Sequence, residues 1–168
     1  MRQGDSVRYS RATRTSSVVR RYQHLLGIVP GVVRRGGKPR IMAVIDTSGS
    51  LTDDLLSEIS NELRHMARDR DVVVVECDAR IQNVYPYRKP LTEVGGRGGT
   101  DFRPPLKHEF VRAQRADLVV YFTDGYGPAP ANPPQVPVIW ALTPGGERPA
   151  TWGMAVWMGR RERFAYRY

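Results

Sequence analysis

Five side chains, Asp46, Ser48, Ser50, Thr100 and Asp124, have the types and spacing to hold a hard divalent cation. In Asp46-Thr47-Ser48-Gly49-Ser50 a carboxylate and two hydroxyls alternate. On an extended loop, residues at i, i+2 and i+4 face the same side. Thr100, in a Gly-Gly-Thr triplet, adds a third hydroxyl, and Asp124, in Thr-Asp-Gly, adds a second carboxylate. Two charged and three neutral oxygen groups suit a small octahedral Mg²⁺ or Mn²⁺ that keeps water and one exchangeable position. Zinc chemistry is not expected, because Cys77 is the single cysteine and His24, His65 and His108 are scattered.

These residues must be placed by strands and helices. Ile41 to Ile45 is a short apolar run of the kind buried on both sheet faces, and Asp46 ends it. A helix is expected from about Thr52, with Asp53 and Asp54 in its first turn. Leu55, Ile59, Leu63 and Met66 form its apolar stripe. Val72 to Glu76 reads as a second strand, and the alternation over Arg80–Arg88 as an antiparallel edge strand. The Gly-rich stretch 95–99 precedes Thr100, and a second helix is expected over Phe102 to Arg115, with Pro104 and Pro105 in its first turn. Strands follow at Asp117 to Thr123, Val138 to Leu142 and about Met154 to Met158. Strands alternating with helices predict an α/β fold: a three-layer, doubly wound, Rossmann-like sheet, mostly parallel with one antiparallel edge strand. In such sheets ligands bind beyond the carboxyl ends of the strands, where the strand order reverses. Asp46 and Asp124 are expected there.

The chain has 168 residues, enough for one domain with its own core, and a net charge of +9. That charge is localised. Residues 1–40 hold ten Lys/Arg against one acidic residue, whereas residues 41–168 hold sixteen of each sign. Arg160, Arg161, Arg163 and Arg167 add a smaller basic tail. A basic arm attracts phosphates, acidic proteins or acidic lipids by sign alone. The apolar runs are too short to span a bilayer, and no signal-type stretch lies near Met1. An intracellular, cytoplasmic protein with no membrane partner is expected. No internal repeat is visible.

Asp46-x-Ser48-x-Ser50, Thr100 in Gly-Gly-Thr and Asp124 in Thr-Asp-Gly, in that order, resemble the metal-ion-dependent adhesion site (MIDAS) of von Willebrand factor A (VWA) domains. The resemblance covers roughly Ile41 to Met158. The Gly-Gly-Thr-Asp-Phe-Arg-Pro stretch and the preceding basic segment look like a bacterial subgroup in which a VWA-like domain follows a predicted metallopeptidase region. No His-Glu-x-x-His occurs in this chain. The organisation expected is a basic, partly irregular extension over 1–39, a VWA-like domain over 40–158 and an Arg-rich tail over 159–168. The resemblance implies binding rather than catalysis. The hydroxyls of Ser48, Ser50 and Thr100 and the carboxylates of Asp46 and Asp124 would hold Mg²⁺ (or Mn²⁺), and an Asp or Glu of a protein partner would fill the open position. Relatives of this kind often accompany MoxR-type AAA+ ATPases, which makes such an ATPase the partner expected.

Two other functions compete. Nucleic acid could bind the arm over residues 1–40, with a steep salt dependence. A Mg²⁺-dependent phosphatase or nuclease could use carboxylates on adjacent loops, although Asp46-Thr47-Ser48 lacks the second carboxylate of an Asp-x-Asp hydrolase. No nucleophile–base pair is visible, so no catalytic residues are assigned. Plainer roles also exist. Ser50 and Thr52 are natural helix caps, the glycines at 95–99 suit a flexible turn, and Asp124-Gly125 is a common turn pair. Cys77 and the tryptophans Trp140, Trp152 and Trp157 are expected to pack in the core or on the sheet. His65 and His108 are expected as surface or second-layer residues of the two helices rather than ligands.

Overall fold

The computed structural model describes residues 38–49, 51–95 and 98–159. Ser50, nearly all of the expected N-terminal extension, and the Arg-rich tail from Arg160 onward lie outside those residues. The described chain forms β1 (Arg40–Asp46), α1 (Asp53–Met66), β2 (Asp71–Cys77), β3 (Ile81–Pro86) and a 3₁₀ turn at Pro104–Leu106. It continues through α2 (His108–Ala113), β4 (Leu118–Thr123), β5 (Val138–Leu142) and β6 (Met154–Trp157).

The six strands make one sheet in the order β3-β2-β1-β4-β5-β6. β1 pairs in parallel with both β2 and β4, β4 with β5, and β5 with β6, whereas β3 runs antiparallel to β2. The mostly parallel α/β sheet with one antiparallel edge strand is the expected architecture. β1 and β4 lie side by side although α1, β2 and β3 separate them in sequence, so the strand order reverses between them.

β1 is apolar on both faces because both are covered, as parallel strands require. Ile41, Ala43 and Ile45 meet Ile59, Leu63 and Met66 of α1 on one face. Met42 and Val44 share the opposite layer with Phe102, Leu106 and Val111. Tyr85 and Tyr87 pack against the α1 side from the edge, and Trp140 is fully buried on the other. At its amino end β1 is latched: the Arg40 amide donates to Asp117 Oδ2 (2.8 Å) and the Arg40 guanidinium to Asp71 Oδ2 (2.7 Å).

α1 starts where its sequence directs. Thr52 takes an extended conformation and its hydroxyl accepts the Leu55 amide, while Asp53 and Asp54 occupy the first turn. The buried stripe is Leu56, Ile59, Leu63 and Met66, with Leu55 only partly buried. The stripe therefore begins one residue later than the spacing predicts.

The second helix differs more. A single helix over Phe102 to Arg115 is replaced by the 3₁₀ turn and a six-residue helix, broken at Lys107, whose ψ is 135°. The cause is phase. Phe102, Leu106 and Val111 are all buried against the same sheet face. On one continuous helix, at about 100° per residue, Phe102 and Val111 would point about half a turn apart. The extended Lys107 resets the rotation so that both face inward.

Candidate functional site

β1 and β4 end together, and the loops leaving their carboxyl ends build the site. Asp46, the last residue of β1, is 5% exposed. Its Oδ1 accepts the Ser48 amide at 3.1 Å, and its Oδ2 accepts the Thr123 hydroxyl at 2.7 Å. Burial pushes the Asp46 carboxyl above its ordinary pKa; hydrogen bonds from Thr123 and Ser48 pull it back, and the negative charge of Asp124 adds to the upward push. A desolvated carboxylate beside a second carboxylate is an arrangement that a cation relieves.

Thr123 is the residue that sequence reasoning missed. Besides donating to Asp46, its oxygen accepts the Gly125 amide at 2.9 Å, so its proton is directed at the carboxylate. The available signal was an aliphatic hydroxyl closing a strand of otherwise aliphatic and aromatic residues, directly before Asp124.

Asp124 heads the loop after β4. Its Oδ1 accepts the Tyr126 amide at 3.0 Å, and its carbonyl accepts the Glu147 amide at 2.9 Å. Gly125 has φ +87°, and a Cβ there would lie 1.6 Å from the Glu147 carbonyl oxygen. The Asp-Gly pair thus sits at a sharp bend, and the same bend sets the Asp124 carboxylate in place.

Thr100 comes to this loop from the other side. Its methyl group packs at Gly127, where an added Cβ would lie 2.7 Å away. The Phe102 amide donates to the Pro128 carbonyl at 3.0 Å. The Gly-rich stretch before Thr100 is anchored. Glu76 accepts the Gly95 amide (3.0 Å), the Asn83 amide group (2.7 Å) and the Tyr85 hydroxyl (2.6 Å). Asp78 accepts the Gly98 amide (3.2 Å) and the Arg80 amide (3.1 Å), and its carbonyl takes the Asp101 amide (3.1 Å). Both acids are buried. Asp101, next to Thr100, is turned onto Arg103 by two side-chain bonds of 2.9 and 2.8 Å, which hold its pKa below the ordinary value.

The structure therefore joins Asp46, Ser48 and Thr123 directly, sets Asp124 within electrostatic reach of Asp46, and packs Thr100 against the Asp124 loop. Ser50 lies outside the described residues. Among the described residues no three His, Cys, Asp or Glu side chains gather to hold a metal. A cation at this point would rest on two carboxylates and neighbouring hydroxyls, a set that fits Mg²⁺ or Mn²⁺ better than zinc. Cys77 is buried, and desolvation pushes its thiol up to about 12.

No described helix is long and apolar enough to cross a membrane. A family model described as a VWA-like domain (DUF2201) matches residues 41–159. An uncharacterized protein of Thermotoga maritima is 34% identical over 133 residues, which is 76% of this chain and 32% of that protein. The chain thus spans about a third of the length of this relative. No solved structure matches the chain.

Proposed function

The chain belongs to the VWA-like domain family, and we propose that it is a metal-dependent protein-binding module rather than an enzyme. The observation that carries this reading is the closeness of two carboxylates, Asp46 and Asp124, at the strand-order reversal, with Asp46 destabilised as an anion by burial and by its neighbour. Asp46 and Asp124, with the hydroxyls of Ser48, Ser50 and Thr100, would hold Mg²⁺ or Mn²⁺. When bound, such a cation supplies one open position for an Asp or Glu of a protein partner. Thr123 fixes the orientation of Asp46, and Glu76 and Asp78 hold the loop that presents Thr100.

A MoxR-type AAA+ ATPase is the partner class that the family resemblance brings to this reading. The complete protein's partners belong to the same proposal, since the chain corresponds to a third of its relative. Binding of nucleic acid to residues 1–40 rests on a segment almost wholly outside the described residues, and nothing in the described site favours it.

Affinity capture from source-cell lysate tests the proposal, with wild-type protein in Mg²⁺, wild-type protein in EDTA, and Asp46→Ala in Mg²⁺. A protein retained only in the first arm supports the reading. The same material retained in all three arms overturns it.

A further inference from the structure

A cleft of about 540 Å³ opens beside the Asp46 loop, between the start of α1 and the segment carrying Thr92 and Glu93. That volume lies within the range of sites that take a side chain or small ligand, roughly 300–1,000 Å³. Thr47 and Ser48 form one wall, Leu51 and Leu56 supply an apolar patch, and Asp53 and Glu93 are the only charged groups among the described residues that line it. Both acids are exposed.

Two features point to the kind of group this cleft takes. The first is charge. The amino end of a helix carries about half a positive charge, which alone would invite an anion. Here Asp53 and Asp54 already stand in the first turn and Thr52 caps it, and Glu93 adds a further negative charge. The balance is negative. The second is Thr47, a lining residue only 2% exposed, whose hydroxyl oxygen is buried without a hydrogen-bond partner. Buried polar atoms are nearly always paired, so this unpaired hydroxyl marks the Thr47 side of the cleft as a place where an occupant's donor would find a partner once the wall gives way to it.

We propose that this cleft receives a basic side chain, Arg or Lys, from the same partner segment whose Asp or Glu reaches the Asp46–Asp124 site. The inference rests on the proposed function and names the partner chemistry for it. Ser48 bonds to Asp46 and also lines the cleft, so the two subsites share a wall. An extended chain covers ~3.3 Å per residue, so subsites that share a wall are within reach of acidic and basic residues a few positions apart. Asp53 and Glu93 are specificity-determining groups in this arrangement, separate from the residues that would hold the cation.

Synthetic peptides in a neutral Ser/Gly context provide the probe. One set carries a single Glu, a second adds Arg one to four positions away on either side, and a third places that Arg ten positions away. Binding to the full chain is read by fluorescence anisotropy in Mg²⁺ and in EDTA at fixed salt. The expected result is at least tenfold tighter Mg²⁺-dependent binding of the second set over the other two. In the double variant Asp53→Asn/Glu93→Gln that preference falls below threefold, while single-Glu peptides bind as they do to wild type. Mg²⁺-dependent binding without a preference for nearby Arg, or a preference that survives in the double variant, overturns the cleft assignment alone. If no peptide binds in Mg²⁺, both the cleft assignment and the metal-dependent reading fall.

Discussion

The Thr123 hydroxyl donates to Asp46 Oδ2 over 2.7 Å and joins the carboxyl ends of β4 and β1, which are 77 residues apart in sequence. Thr123→Val keeps the shape and removes the donor. A buried acceptor that loses its partner costs about 1–3 kcal/mol, so urea denaturation should show a loss of that order. Mg²⁺ affinity, read by calorimetric titration, should fall as well, and Thr123→Ser should restore both. Unchanged Mg²⁺ affinity in the valine variant would remove Thr123 from the site.

Asp46→Asn should separate charge from shape. The folded chain holds the Asp46 proton more tightly than the unfolded chain, whose reference value is near 3.8. The favourable contribution of this group is therefore complete below that value and disappears as pH rises through the higher folded value. Above its raised folded value and without metal, the ionised Asp46 is a burden. Asp46→Asn is expected to melt at or above wild type in EDTA at pH 7, to lose that advantage near pH 4, and to gain nothing from Mg²⁺. Melting several degrees below wild type in EDTA at pH 7 would contradict this.

Two glycines should respond differently to alanine. Gly125→Ala meets a backbone oxygen at 1.6 Å and a φ of +87°, and neither obstacle can move aside; a loss of at least about 2 kcal/mol is expected from thermal or chemical melts. Gly98→Ala meets the Asp78 carboxylate at 2.8 Å, a side chain that can shift. Its stability should change less, while the Thr100 loop loosens and Mg²⁺ affinity drops.

Cys77 should be a reporter of unfolding. With its thiol pushed up to about 12, only about one part in ten thousand is thiolate at pH 8. Iodoacetamide labelling followed by mass spectrometry should be negligible in the native protein and rise in step with denaturation. Rapid labelling under native conditions would place Cys77 in a site that opens locally.

Tyr126 stands two residues beyond Asp124 and is 55% exposed, an unusual position for a large aromatic ring. Tyrosine is enriched among the residues that anchor a partner at the centre of an interface, and a partner seated over Asp124 would cover this ring. Tyr126→Ala should weaken capture of the protein partner by tenfold or more and leave the melting temperature unchanged. Undiminished capture would move the interface elsewhere.

The sheet was legible because its strands carry uninterrupted apolar runs, and the reversal between β1 and β4 comes from placing helices on both faces. The start of α1 was legible in Thr52, Asp53 and Asp54. The break at Lys107 was not, because it depends on which face Phe102 and Val111 must reach, and that is decided by packing. In the site, the roles of Glu76 and Asp78 were hidden for a related reason. They serve through long-range bonds to Gly95 and Gly98, and no local pattern records such a bond. Thr123 shows the same limit, since its partner lies across the sheet.

The parallel strands give the domain two poles. Residue 39 joins β1 at the latched Arg40 end, six strand steps from Asp46, or roughly 20 Å away. Trp157 closes β6 at the opposite pole, the one that carries Asp46 and Thr123, but at the sheet edge two strands beyond β4, where the Gly159 amide is held by Glu58 at 3.0 Å. Whatever is tethered ahead of the domain is thus attached away from the proposed binding face, and whatever trails it starts at the rim of that face. An affinity handle or fluorescent fusion joined directly at residue 39 would start at the pole away from an arriving partner. The same handle joined after β6 would begin on the partner's doorstep.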